Sequence, residues 1–132
     1  MTFQWTENLT VGVELMDDQH KELFSRVNAF AESVAQNKES IFVEELIKSL
    51  EAYLDTHLTL EETYMKQYDY DEDDTEEHLK QHKTLRTNIE RLKSEYLKKG
   101  SSKDLNQKIQ THLCNWLITH VSKIDKKLGD YL

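Results

Sequence analysis

Proline is absent from all 132 residues, glycine occurs three times and cysteine once. A chain with so few helix breakers, rich in Leu, Glu and Lys, reads as all-helical. The lone Cys114 excludes an internal disulfide framework and fits a reducing compartment, so the expected location is cytoplasmic. No stretch approaches the ~20 apolar residues of a membrane span, which excludes membrane insertion. Met1 to Asp18 holds four acidic residues and no lysine or arginine, the wrong charge for a secretory signal. A surplus of positive charge is also missing. The formal net charge is −8, which excludes phosphate-neutralising nucleic-acid binders and attachment to an anionic membrane surface.

The length suits one domain, 1–132, with its own hydrophobic core. Apolar periodicity divides it into an amino-terminal arm, 1–16, and four helices. The arm carries Phe3, Trp5, Leu9, Val11 and Val13, too apolar to float free, and is expected to lie across the bundle. Helix A begins near Asp17 or Asp18, turns His20, Phe24, Val27, Ala31 and Val34 inward, and fades at Gln36–Asn37. Helix B starts after Ser40 with Leu46, Leu50, Tyr53, Leu54, His57, Glu61, Tyr64 and Tyr68 along one side. The acidic run Asp69 to Glu77 reads as a solvated loop, and Asp74 with Glu77 as a capping box for helix C. Helix C turns His78, His82, Leu85, Ile89, Leu92 and Tyr96 inward and stops at Gly100. Ser101 and Ser102 open helix D, with Ile109, Leu113, Trp116, His120 and Ile124 inward and Gly129 near its end. Short links favour an up-down-up-down antiparallel four-helix bundle.

The apolar stripes of these helices carry side chains that packing has no use for. His57 and Glu61 are four apart, as are His78 and His82, so each pair shares one helix face. His20 and His120 sit on the stripes of helices A and D. A lone buried histidine is ordinarily a satisfied core residue. Several buried imidazoles with a buried carboxylate each need partners that a Leu/Ile/Val core does not offer, and bound cations supply that compensation. Imidazole suits iron, zinc or copper, so the ligand type leaves the metal open. Asp125 is awkward. It lies five residues from His120, about 140° away on a regular helix, and Ile124 continues the stripe instead. Either the helix is locally unwound, as in a π-type bulge, or Asp125 reaches inward from a distorted turn.

The set His20, His57-x-x-x-Glu61, His78-x-x-x-His82 and His120-x-x-x-x-Asp125 resembles the hemerythrin family, in particular its single-domain bacterial members. The resemblance spans the chain, including Trp5, Val11-Gly12-Val13 and Trp116-Leu117. Myohemerythrin is itself a known up-down bundle, so the resemblance implies the architecture too. It implies two iron ions (Fe2+/Fe3+) with an oxo or hydroxo bridge and dioxygen as ligand. His78, His82 and His120 would hold one iron. His20 and His57 would hold the other, leaving a position open, and Glu61 and Asp125 would bridge both. Through the resemblance Asp125 joins the six ligands that spacing nominates.

The implied function is reversible dioxygen binding for carriage or storage, without catalysis, by a monomer that serves an oxygen-consuming protein not identified by the sequence. Leu23, Trp116, Leu117 and Val121, with Phe24, are candidates for an apolar oxygen pocket that slows water and proton entry. The chain contains no Glu-x-x-His, the ligand motif of ferritin-like oxidases. The alternatives are an oxygen or redox sensor acting through a partner, against which no fused signalling segment is evident, and a peroxide- or nitric-oxide-processing di-iron enzyme. No acid–base carboxylate or nucleophile stands apart from the ligand set to support the enzyme, and a hydrolase fails for the same reason. Iron storage needs a cage and many more carboxylates. His112 is expected at the surface, Cys114 as a buried filler, and Tyr64, Tyr68 and Tyr70 near the ligands.

Overall fold

Each of the four periodic stretches is a helix in the computed structural model, which describes residues 4–132. Helix α1 spans Glu14–Ala35, α2 Ser40–Gln67 and α3 Glu72–Lys99. The fourth rod is continuous but not uniform. It runs through α4 (Lys103–Ile109), a π segment (Gln110–Asn115), α5 (Trp116–Thr119), a second π segment (His120–Asp125) and α6 (Lys126–Tyr131). No strand occurs among the described residues. Helix α1 packs on α2 and on the fourth rod, and α3 does the same from the opposite side. Short links at 36–39, 68–71 and 100–102 make this an up-down-up-down antiparallel four-helix bundle. No described helix is long and apolar enough to cross a membrane.

Helix ends follow local chemistry, with two departures from the sequence reading. Gly100 takes φ 70° and donates its N–H to Tyr96 O at 2.7 Å, closing α3. The Ser102 hydroxyl accepts from Leu105 N–H at 3.0 Å and opens α4. At the start of α3, however, the cap is Asp71, accepting from Asp74 N–H at 3.0 Å, in place of the expected Asp74–Glu77 box. Most of the acidic run is therefore helical. Glu72, Asp73 and Asp74 fill the first turn, where the helix dipole favours negative charge. Helix α1 likewise begins a turn earlier than expected. Asp17 does not cap it but turns back to accept from Val11 N–H at 2.8 Å and Gly12 N–H at 3.3 Å. That contact fastens the arm.

Phe3, expected in the arm, lies outside the described residues. Leu9 and Val11 are buried, and Trp5 and Val13 pack half-buried against the core. Val11 crosses α6 at Gly129, where a Cβ would stand 2.3 Å from the Val11 carbonyl oxygen. Backbone touches backbone there, and only glycine leaves room. Gly129→Ala is expected to force the arm off α6 at a cost of about 1–3 kcal/mol. Thermal unfolding should record a midpoint lower by several degrees, and an unchanged midpoint would mean the arm is not seated on α6.

The buried face of α1 holds His20, Phe24, Val27, Ala31 and Val34 as read from periodicity, and that of α3 holds all six expected side chains. Helix α2 is rotated slightly from the expected stripe. Val43, Ile47, Leu50, Leu54, His57, Leu58, Glu61 and Met65 are buried, while Leu46, Tyr53 and Tyr64 flank them half-buried. Tyr68 is 53% exposed, because it follows the last turn as the C-cap. On the fourth rod Ile109, Leu113 and His120 face inward, but Trp116 and Ile124 are half-buried and Leu117, Val121 and Asp125 take the core. The π segments cause this shift, since each widens the turn. The first also leaves the His112 carbonyl to accept from Asn88 Nδ2 at 3.2 Å.

Candidate metal centre

The seven candidate ligands converge at one level of the bundle. All are buried, none more than 2% exposed. Helix α1 contributes His20, α2 His57 and Glu61, α3 His78 and His82, and the second π segment His120 and Asp125. That segment resolves the spacing of the last pair. Its i→i+5 hydrogen bonds put residues five apart on one face, and His120 Nε2 lies 3.0 Å from Asp125 Oδ1. Of the two geometries left open by the spacing, the local π unwinding is the one present.

The two carboxylates divide the cluster into halves. Glu61 Oε1 lies 3.0 Å from His82 Nε2 and 3.4 Å from His78 Nε2. Its other oxygen, Oε2, lies 3.2 Å from His57 Nε2 and 3.4 Å from His20 Nε2. Asp125 repeats the division, with Oδ1 2.8 Å from His78 Nε2 and Oδ2 2.9 Å from His20 Nε2. One half therefore gathers His78, His82 and His120, the other His20 and His57, and each carboxylate presents one oxygen to each half. Donor atoms of Glu61, His78, His82, His120 and Asp125 all lie within 4.8 Å of one another, as do those of His20, His57, Glu61 and Asp125.

These side chains fit cations better than they fit each other. Two donors at right angles, each about 2.1 Å from one cation, stand about 3 Å apart. Most of the separations are close to that value. Yet both ring nitrogens of His20 and of His78, Nε2 of His120, Oε2 of Glu61 and both oxygens of Asp125 make no hydrogen bond. The Nε2 and carboxylate atoms among them are near enough to pair but not aligned to do so, and buried polar atoms without partners are rare in folded proteins. Burial opposes charge on His20, but the Asp125 and Glu61 carboxylates outweigh it and push its pKa up to about 10. The same balance takes His78 to about 9. Burial works against ionisation of Glu61, but His57, His20 and His78 hold its carboxyl well below the usual range. Asp125 is opposed by burial and by Glu61, and His120 and His20 still hold it low. Negative charge is thus kept at the centre of the cluster.

A second ring of contacts orients the imidazoles, and periodicity did not find it. Gln19 Oε1 lies 2.7 Å from His57 Nδ1, Glu62 Oε2 2.8 Å from His82 Nδ1, and Gln81 Oε1 2.8 Å from His120 Nδ1. An acceptor at Nδ1 keeps the proton there and leaves Nε2 bare for a metal. Each supporter sits next to a ligand in the chain: Gln19 beside His20, Glu62 beside Glu61, Gln81 beside His82. Each reaches the next helix in order, so a polar residue flanking a ligand was the available signal. Trp116 stacks on His120, rings 4.9 Å apart at 11°, and Trp5 lies against His20 with ring centroids 6.4 Å apart. Leu23, Phe24, Leu117 and Val121 are fully buried. His112 is exposed, and burial raises the Cys114 thiol to about 11, as suits an inert filler. Tyr64 is half-buried and Tyr70 buried.

Residues 11–132 match the family model described as the hemerythrin HHE cation binding domain. The chain belongs to the hemerythrin family. Among curated hemerythrins, a bacteriohemerythrin of Methylococcus capsulatus is 30% identical over 132 residues, covering 97% of this chain and 95% of that protein. A bacteriohemerythrin of Pseudomonas paraeruginosa is 27% identical over 122 residues, 92% of this chain and 75% of that protein. A myohemerythrin of Theromyzon tessulatum is 30% identical over 125 residues, 95% and 89% of the two chains. No solved structure gives a significant match. Family membership and the buried His/Glu/Asp cluster together support a non-haem di-iron site.

Proposed function

We propose that this hemerythrin binds dioxygen reversibly, as a carrier or local store, within a single domain over 1–132. The observation that carries the reading is the inequality of the two halves. Three imidazoles and two carboxylate oxygens surround one, and two imidazoles and two carboxylate oxygens surround the other. The half of His20 and His57 has one protein donor fewer, so a metal held there at equal coordination would have a position free for a small ligand. His78, His82 and His120 are assigned to one iron, His20 and His57 to the other, and Glu61 and Asp125 to both. An iron pair held there would supply Fe2+/Fe3+ chemistry, with a solvent-derived oxo or hydroxo group as a further ligand, and so two electrons for reversible transfer to a small ligand.

The protein's part is to hold that site dry and fixed. Leu23, Leu117 and Val121 are buried, Trp116 covers His120, and together they are assigned to the oxygen pocket. Among the described residues the one further carboxylate in contact with a ligand histidine, Glu62, is engaged by His82 and Arg86, which favours binding over catalysis. The lone buried Cys114 suits a cytoplasmic monomer.

Anaerobic reduction followed by oxygen titration with optical readout is the test. Absorption should rise to saturation at one dioxygen per chain, vanish under vacuum and return with air. Absorption that does not reverse, or steady turnover of peroxide or nitric oxide above that of free iron, would overturn the carrier reading. Zinc alone in natively expressed protein would do the same.

A further inference from the structure

The five imidazoles are not held alike. His57 and His120 pass Nδ1 to neutral amide oxygens of Gln19 and Gln81, and Nδ1 of His20 and His78 has no hydrogen-bond partner. Among the five, only His82 meets a carboxylate at Nδ1, Glu62 Oε2 at 2.8 Å. Glu62 is 30% exposed and not itself part of the buried cluster. We propose that Glu62 is a positioning residue that, through His82, lowers the reduction potential of the metal pair, acting from the three-histidine half. The inference rests on the di-iron reading above.

The physical chain is short. His82 Nε2 faces the cluster beside Glu61 Oε1 and Nδ1 faces Glu62, so with Nε2 given to a metal the ring proton would reside on Nδ1 and be donated to Glu62. A full negative charge accepting that proton draws it outward and leaves the ring more electron-rich than an amide acceptor does. A more basic imidazole stabilises the higher oxidation state of the metal it binds. The effect falls on one half, because the supporter of the other half, Gln19 at His57 Nδ1, is a neutral amide. In a half-oxidised pair the ferrous ion would then be favoured beside His20 and His57. Arg86 sets the strength of the effect: Nη1 lies 3.4 Å from the same Glu62 oxygen and Nη2 3.4 Å from Asp55 Oδ1. It competes with His82 for Glu62, and Asp55 competes with Glu62 for Arg86.

The test is a spectroelectrochemical titration of iron-loaded protein, with iron content measured on each sample. Glu62→Gln removes the charge but keeps an acceptor for Nδ1, and is expected to hold two irons with a midpoint potential shifted positive. Arg86→Gln frees Glu62 and is expected to shift it negative. Asp55→Asn, which removes an equal surface charge without touching a ligand, should move it much less than Glu62→Gln does. An unmoved potential in Glu62→Gln, or an equal shift in Asp55→Asn, overturns the proposal. If Glu62→Gln holds less than two irons, Arg86→Gln decides: a negative shift supports the proposal and no shift overturns it. Iron content of the unsubstituted chain separates the two readings. Without an iron pair both fall, and with two irons and flat potentials only this one does.

Discussion

Alanine in place of Glu61 is expected to release metal from both halves of the centre. Glu61 is the one side chain whose two oxygens together face four of the five clustered histidines, His78 and His82 through Oε1 and His20 and His57 through Oε2. Losing it removes a donor from each half and a buried negative charge from among five imidazoles. His57→Ala should instead empty only its own half, leaving about one metal per chain. Metal analysis after desalting reads the difference. The Glu61 variant should also unfold at much lower temperature, since binding free energy is part of folding free energy at such a site. Removing one partner of a buried ionic set adds about 3–5 kcal/mol even without metal. Two metals retained in Glu61→Ala would mean that Glu61 bridges nothing.

Stripping the metal with a chelator is expected to leave a bundle whose stability depends steeply on pH. In the stripped protein, protons stand where cations would. His20 and His78 hold theirs with pKa values of about 10 and 9, raised from the ordinary 6.5. A raised folded pKa contributes stability that is complete below pH 6.5 and disappears as the pH rises through 9 and 10. Glu61 has the opposite sign. Its pKa is lowered from the ordinary 4.5, so its contribution is present above that pH and lost as the pH falls further. Stripped protein should therefore be most stable between about pH 4.5 and 6.5, with loss on both sides. Loaded protein has bare nitrogens at any pH where metal stays bound, so its alkaline limb should be flat. Denaturant midpoints measured for both forms at intervals of pH decide it. Parallel curves for the two forms would show that the cluster does not exchange protons for metal. The same linkage predicts that adding Fe2+ to stripped, unbuffered protein near neutrality acidifies the solution.

Helix α3 was legible side chain by side chain, because a long amphipathic helix with few breakers leaves periodicity undisturbed; on α1 the five inward positions held, but Met16, Asp17, Leu23, Phe30 and Ser33 are buried beside them. Their boundaries were less so. Asp17 reads as a cap by type, and only the folded arm shows that its carboxylate serves Val11 and Gly12 instead. Asp71 and Asp74 are both eligible caps, and sequence alone does not choose between them. Six of the seven candidate ligands followed from helical spacing. Asp125 did not, since whether a helix adds a residue to one turn is decided by what its neighbours gain, and Ile124 competes for the inward position. Gln19, Glu62 and Gln81 were hidden for another reason. Each acts across a helix interface, and residue spacing within one helix carries no information about the facing one.

The π segment His120–Asp125 amounts to one residue more than an α-helix would use. No substitution can undo an inserted residue; only a deletion can. A deletion there would turn everything after it by about 100° relative to everything before, carrying Gly129 away from the Val11 carbonyl it alone can accept. The reading frame of this turn thus serves two masters, a ligand and the seat of the arm, and neither can be re-registered without the other. Over evolutionary time such a stretch should accept exchanges of residue type yet resist any change of length, so the interval from His120 to Gly129 is expected to keep its length where the loops of the bundle vary theirs.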